Sequence, residues 1–101
     1  MPITVSSRDS VLTVVLSGEI DHHGAREMMS QLTDAIAERL PAKLVLDMSG
    51  VTFMDSSGIA VLLRARRQME HTGGTLRVTA IPAQARRVLD AAGIGRLISL
   101  D

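Results

Sequence analysis

A serine pair stands in Asp55-Ser56-Ser57-Gly58, directly ahead of Ile59, Leu62, Leu63 and Met69, apolar residues at helical spacing. A hydroxyl at a helix start has three chemical uses. It can accept an unpaired backbone N–H as a helix cap. It can act as a nucleophile when a histidine and an acid activate it. It can also carry a phosphate, which the free N–H groups and the helix dipole favour. Assisting groups lie upstream in Gly18-Glu19-Ile20-Asp21-His22-His23. Acyl transfer through Ser56, His22 and Asp21 is disfavoured, because Met54 fills the first glycine position of a Gly-x-Ser-x-Gly elbow. Glu19 and Asp21 can share acid–base work or simply flank a solvated turn. His22 and His23 are consecutive, so their side chains diverge at a helix start and do not readily ligate one metal. His71 is the only other histidine and there is no cysteine. No catalytic set, metal site or cofactor is expected, and the cap and the phosphoacceptor remain as readings of the serines.

These groups need elements to hold them. Ile3–Ser6 and Val11–Ser17 are rich in β-formers, and Arg8-Asp9-Ser10 between them predicts an antiparallel hairpin. Gly18 to Asp21 then reads as the exit from the second strand. From Ala25, apolar residues at Met28, Met29, Leu32, Ile36 and Leu40 predict an amphipathic helix that Pro41 ends. Leu44-Val45-Leu46 reads as a strand covered on both sides, and Met48–Asp55 as an irregular stretch with a turn at Ser49-Gly50. The helix after the serines ends at Gly73-Gly74, and Leu76-Arg77-Val78 is the next strand. Pro82 suits the first turn of a third helix, with Ala85, Val88, Leu89 and Ala92 on its face and Gly93 as its cap. Leu97–Leu100 closes as an edge strand. Gly73-Gly74 and Gly93-x-Gly95 follow helices, so they read as caps rather than phosphate loops. The order β-β-α-β-α-β-α-β implies a mixed, mostly parallel sheet of about five strands with three or more helices mainly on one face.

Composition narrows the function further. At 101 residues the chain suits one domain, 1–101, with one core. The longest apolar run, Ile59–Leu63, is far short of the ~20 residues a membrane helix needs. Met1-Pro2-Ile3-Thr4 has no signal pattern, so a soluble cytoplasmic protein is expected. Phe53 is the sole aromatic, which disfavours base stacking on single-stranded nucleic acid. Formal net charge is zero, with no general pull on phosphate backbones. Residues 1–55 hold eight acids against four bases, while residues 56–101 hold three acids against seven arginines, a balance of −4 followed by +4. That asymmetry describes either solvated faces or a partner surface.

Gly18-Glu19-Ile20-Asp21-His22-His23, the segment Leu46–Gly58 and Gly73-Gly74 together resemble the STAS family, and within it the bacterial anti-sigma factor antagonists. The resemblance covers essentially the whole chain and implies a STAS fold. It implies that Ser56 is phosphorylated by a GHKL-type serine kinase that is also the anti-sigma factor. The unphosphorylated form would bind that kinase and release the sigma factor, and a PP2C-type phosphatase would reset the serine. Glu19, Asp21, His22, Asp55, Ser56, Ser57 and Gly58 would form the partner-binding surface. No direct nucleic-acid or membrane contact is implied, and a weak homodimer stays open. Two departures stand out: Ala60 replaces a glycine of many members, and a further helix that typical members carry does not follow Asp101 here. The alternative is a STAS subunit of another signalling or lipid-transport complex.

Overall fold

The computed structural model describes residues 2–101. Met1, the first residue of the amino-terminal stretch read above, lies outside them. Strands β1 (Ile3–Arg8) and β2 (Val11–Ile20) form the expected hairpin. Arg8 pairs with Val11, so the loop is Asp9-Ser10, with φ of 50° and 65°. Two left-handed residues make the turn that matches strand twist, and a short polar side chain such as Asp tolerates them. Ser10 also accepts from Ala42 N through its Oγ at 3.0 Å, which ties the hairpin tip to the start of the third strand.

Helix α1 (His22–Arg39) starts three residues before the Ala25 of the sequence reading and buries Ala25, Met28, Leu32, Ala35 and Ile36. Leu40 closes it in the left-handed region, ahead of Pro41. Next come β3 (Lys43–Met54), α2 (Ser56–His71), β4 (Thr75–Thr79), α3 (Ala83–Ala91) and β5 (Ser99–Leu100). Pro82 sits at the N-cap of α3, one position before its first turn. A 3₁₀ turn over Ile94–Arg96 shortens the closing strand, expected over Leu97–Leu100, to two residues. Among the described residues no helix is long and apolar enough to cross a membrane.

The sheet order is β1-β2-β3-β4-β5, with β1 antiparallel to β2 and every other neighbour parallel. Register places Leu12 and Val14 beside Leu44 and Leu46, and these, with Leu16 and Met48 at the following shift, are buried on the face that α1 and α2 cover. Thr13, Val15, Val45, Asp47, Arg77 and Thr79 alternate with them and stay half-buried or exposed. The helices therefore lie mainly on one face, and polar residues with Val15 and Val45 line the other. Val45 is only half-buried, so the cover expected on both sides of Leu44-Val45-Leu46 is not met.

Two expectations fail along one seam. Gly18–Ile20 are paired strand residues, and the stretch expected to be irregular after Met48 continues as β3 to Met54. The pairing absorbs two extra residues on β3, with register shifts between Val15 and Ser17 and between Gly18 and Glu19. Asp47 Oδ1 accepts from Ser49 N at 2.8 Å, the local bond of a turn, here bending a strand through a bulge. Gly50 allows the strands to close: a Cβ there would lie 2.6 Å from Ser17 Oγ and 2.9 Å from the Leu16 carbonyl oxygen. Gly50→Ala should therefore cost about 1–3 kcal/mol of stability, as overpacking does. A urea midpoint equal to that of the parent would refute this account of the bulge.

Candidate functional site

β2 and β3 end side by side. Ile20 pairs with Met54, and Asp55 N donates to the Ile20 carbonyl at 3.3 Å. Each strand then turns into a helix through an aspartate. Asp21 Oδ1 accepts from Gly24 N at 2.8 Å and caps α1, while Asp55 Oδ1 accepts from Ser57 N at 2.8 Å and caps α2. The two starts are similar, one strand apart, although Asp21 caps the third residue after it and Asp55 the second. His22 and Ser56 occupy equivalent places, each the first helical residue.

This arrangement revises two expectations. The helix cap is Asp55, not a serine, because an ionised carboxylate is the stronger acceptor for N–H groups at the positive end of a helix. The Ser56 hydroxyl is thus not required for the cap, and Ser56 is exposed while Ser57 is half-buried. Asp21 is not simply an exposed turn acid: it is half-buried and engaged as a cap. Glu19 stays exposed and pairs across the sheet with Phe53. Asp21 is thus engaged with Gly24 through Oδ1, while Glu19 has no such bond among the described residues. The rings of His22 and His23 do not fully diverge, meeting edge to face with centroids 6.3 Å apart.

Close packing seats both helix starts. Gly58 is buried, and a Cβ on it would lie 2.3 Å from Met54 Cγ and 3.3 Å from Ile20 Cγ2. On α1, a Cβ on Gly24 would lie 2.3 Å from the Glu19 carbonyl oxygen. These glycines press the first turns against the strand ends.

Three residues of the site escaped the sequence reading. Gly24 had no distinguishing signal within a helical run. Phe53 was noted only as the sole aromatic, yet it is 43% exposed, two positions before Asp55. Gln84 of α3 accepts from Met54 N through Oε1 at 2.9 Å and donates to the Met54 carbonyl through Nε2 at 2.8 Å. Pairing between β3 and β4 stops at Asp47 and Thr79, so one side-chain amide replaces the missing ladder at Met54. It fixes the residue immediately before the cap.

Sheet order and helix starts together define a class of small α/β domain that presents a hydroxyl at the open end of its sheet. The STAS domain family matches residues 2–101, and the chain belongs to that family. The anti-sigma F factor antagonist of Paenibacillus polymyxa is 32% identical over 100 residues, covering 99% of this chain and 86% of that protein. The crystal structure of an anti-sigma factor antagonist from Mycobacterium paratuberculosis is similar at a TM-score of 0.86 with 28% identity, over 97% of this chain and 82% of that one. The Bacillus cell fate determinant SpoIIAA, solved in its phosphorylated form, shares the fold at a TM-score of 0.73 and 22% identity, over 98% of this chain and 90% of that one.

Two stability outcomes follow from this geometry. Asp21→Ala and Asp55→Ala should each cost about 1 kcal/mol in urea melts, the usual loss for a cap. Gln84→Leu leaves a backbone N–H and C=O at Met54 unpaired, at about 1–3 kcal/mol. Gln84→Glu restores the acceptor but not the donor and should fall between the parent and the leucine variant. Equal stability of the leucine variant and the parent would remove Gln84 from the site.

Proposed function

We propose that this chain is an anti-sigma factor antagonist whose binding is switched by phosphorylation of Ser56. The supporting observation is the division of labour at the α2 start: Asp55 holds the cap, and Ser56 stands exposed beside it. Family membership and the names of its relatives point the same way. In the unphosphorylated state, the surface around Glu19, Asp21, His22, Phe53 and Asp55 to Gly58 engages a GHKL-type serine kinase that is also the anti-sigma factor. The sigma factor is thereby released. In the kinase reaction Ser56 Oγ attacks the γ-phosphorus of ATP, ADP leaves and the hydroxyl proton is lost. A PP2C-type phosphatase returns the serine by hydrolysis. All of this takes place in the cytoplasm, where the sigma factor is.

Physical chemistry favours an electrostatic switch. A phosphate adds about −1.5 to −2 charge at neutral pH. Ser56 follows Asp55 in sequence, and Asp21 stands at the matching position of the neighbouring turn. The helix dipole favours an anion at this end, so the domain stays folded. A partner that sets an acidic or apolar surface against Ser56 loses affinity instead. Like charges across an interface cost several kcal/mol, and about 2.8 kcal/mol is already a hundredfold in affinity. No large conformational change is needed.

Incubation with the cognate kinase and ATP should place the phosphate on Ser56, read by mass spectrometry. Modification solely at Ser57 would break the register. In calorimetry, Ser56→Ala should bind the kinase as the parent does, and Ser56→Asp about tenfold or more weakly. A single carboxylate carries only part of a phosphate's charge. Equal affinity of the two variants would eliminate the switch.

A further inference from the structure

The outward stripe of α2 carries charge that neither the cap nor the core uses. At about 100° per residue, Ser56, Ala60, Arg64, Arg67 and His71 fall within about 80° of one another, opposite the buried Gly58, Val61, Leu62, Ala65 and Met69. All five stripe residues are exposed, and none is acidic. We propose that this stripe extends the docking surface of Ser56 and takes an acidic helix or strand of the same kinase partner. The proposal rests on the reading of Ser56 above and adds to it the chemistry of the partner's second contact.

Ion pairing divides the arginines. Arg66 pairs with Glu70 at 3.4 Å, Arg86 with Asp90 at 3.3 Å, and Arg77 with Asp101. Among the described residues Arg64 and Arg67 pair with no carboxylate. Spaced i, i+3 on one face, they repel each other, so the isolated fold gains nothing from having both. Among the described residues Arg26, Arg87 and Arg96 are also unpaired, but they sit on separate elements, α1, α3 and the 3₁₀ turn. With Gln68, His71 and Thr33 of α1, Arg64 and Arg67 line one groove between the helices. Gln68 Nε2 donates to the Thr33 carbonyl at 3.0 Å, which bridges the two walls. Asp34 and Glu38 of α1 line a different groove, against β1, while Glu70, which borders Arg67 and His71, is paired with Arg66.

Continuity with Ser56 points to a shared partner. Arg64 is about 12 Å along the helix from Ser56 and Arg67 about 16 Å, at 1.5 Å per residue. One packed partner helix spans that length, and Ala60 between them lets it approach closely. Yet the separation exceeds the ~8 Å screening length of physiological salt. The phosphate and the arginines therefore act on affinity independently: one decides whether the partner stays, the other draws an acidic face into register.

Two probes test this on the whole chain. The first is the purified kinase that modifies Ser56. Arg64→Ala/Arg67→Ala should weaken it about tenfold at low salt and flatten the salt dependence of its affinity. Arg87→Ala/Arg96→Ala, with the same net charge, should change affinity less than about twofold. Losses from Ser56→Asp and from the arginine pair should multiply in the combined variant. The second probe is an 18-residue amphipathic peptide helix with glutamates on its polar face, titrated into isotope-labelled protein. Shifts should concentrate at Thr33, Arg64, Arg67 and His71 and vanish in the arginine variant. Equal losses from both arginine pairs, or shifts spread over Arg87 and Arg96, would overturn the proposal while leaving Ser56 intact. Binding of a duplex oligonucleotide at the stripe, with none of the peptide, would overturn it too. Loss of the Ser56→Asp effect alone would instead overturn the switch and leave the stripe.

Discussion

The parallel register of β2 on β3, held as far as Ile20 and Met54, is the constraint on which the site depends. Two neighbouring strands that end level must launch their helices from the same edge. The carboxylates of Asp21 and Asp55 then meet the free N–H groups of two adjacent helix starts, with the first helical residues presented side by side. Reaching that register requires β3 to accommodate two more residues than β2 over the same span. The bulges, the Asp47 turn bond and the close approach at Gly50 are how the chain does so. Without them β3 would run out of step before Asp55, and Gly58 would no longer meet Met54 and Ile20.

From that edge inward the structure is conventional packing. Leu12, Val14 and Leu16 on β2 and Leu44, Leu46 and Met48 on β3 lie beneath the apolar stripes of α1 and α2. The helix layer makes those strands buried on one side only, and the opposite alternation of Thr13, Asp47, Arg77 and Thr79 follows. Gln84 belongs to the edge rather than the core. β4 diverges from β3 after Asp47, and an amide from α3 closes the resulting gap in the ladder. Three elements thus converge on the backbone beside the exposed serine.

Legibility in the sequence followed the range of each interaction. Helices with a 3.6-residue apolar repeat were plain, as was the hairpin, because Asp9-Ser10 is local turn chemistry. So was the Asp55–Gly58 segment as a helix start. Its cap was misassigned, because Asp and Ser are both good caps and only the backbone shows which residue is extended. β3 was cut short because Ser49-Gly50 carries a turn signature, and a bulge uses the same residues. Gln84 and Gly24 were invisible for a stricter reason. One acts across 30 positions of chain and the other through a contact with a strand backbone, and neither leaves a periodic trace.

Because the cap belongs to Asp55, the Ser56 hydroxyl proposed for modification lies outside the helix anchor, and on that proposal folding and signalling answer to different atoms. If recognition runs through Ser56 and the outward side of α2 as proposed, drift there changes the partner and its affinity while the anchor beneath is left alone. Duplicated copies of such a gene can acquire separate partners by surface substitution, each keeping a working scaffold from the first step. A chain whose serine served both as cap and as acceptor would lack that freedom: every modification would also strip the helix of its anchor, and insulation between parallel signalling circuits would be won only against stability.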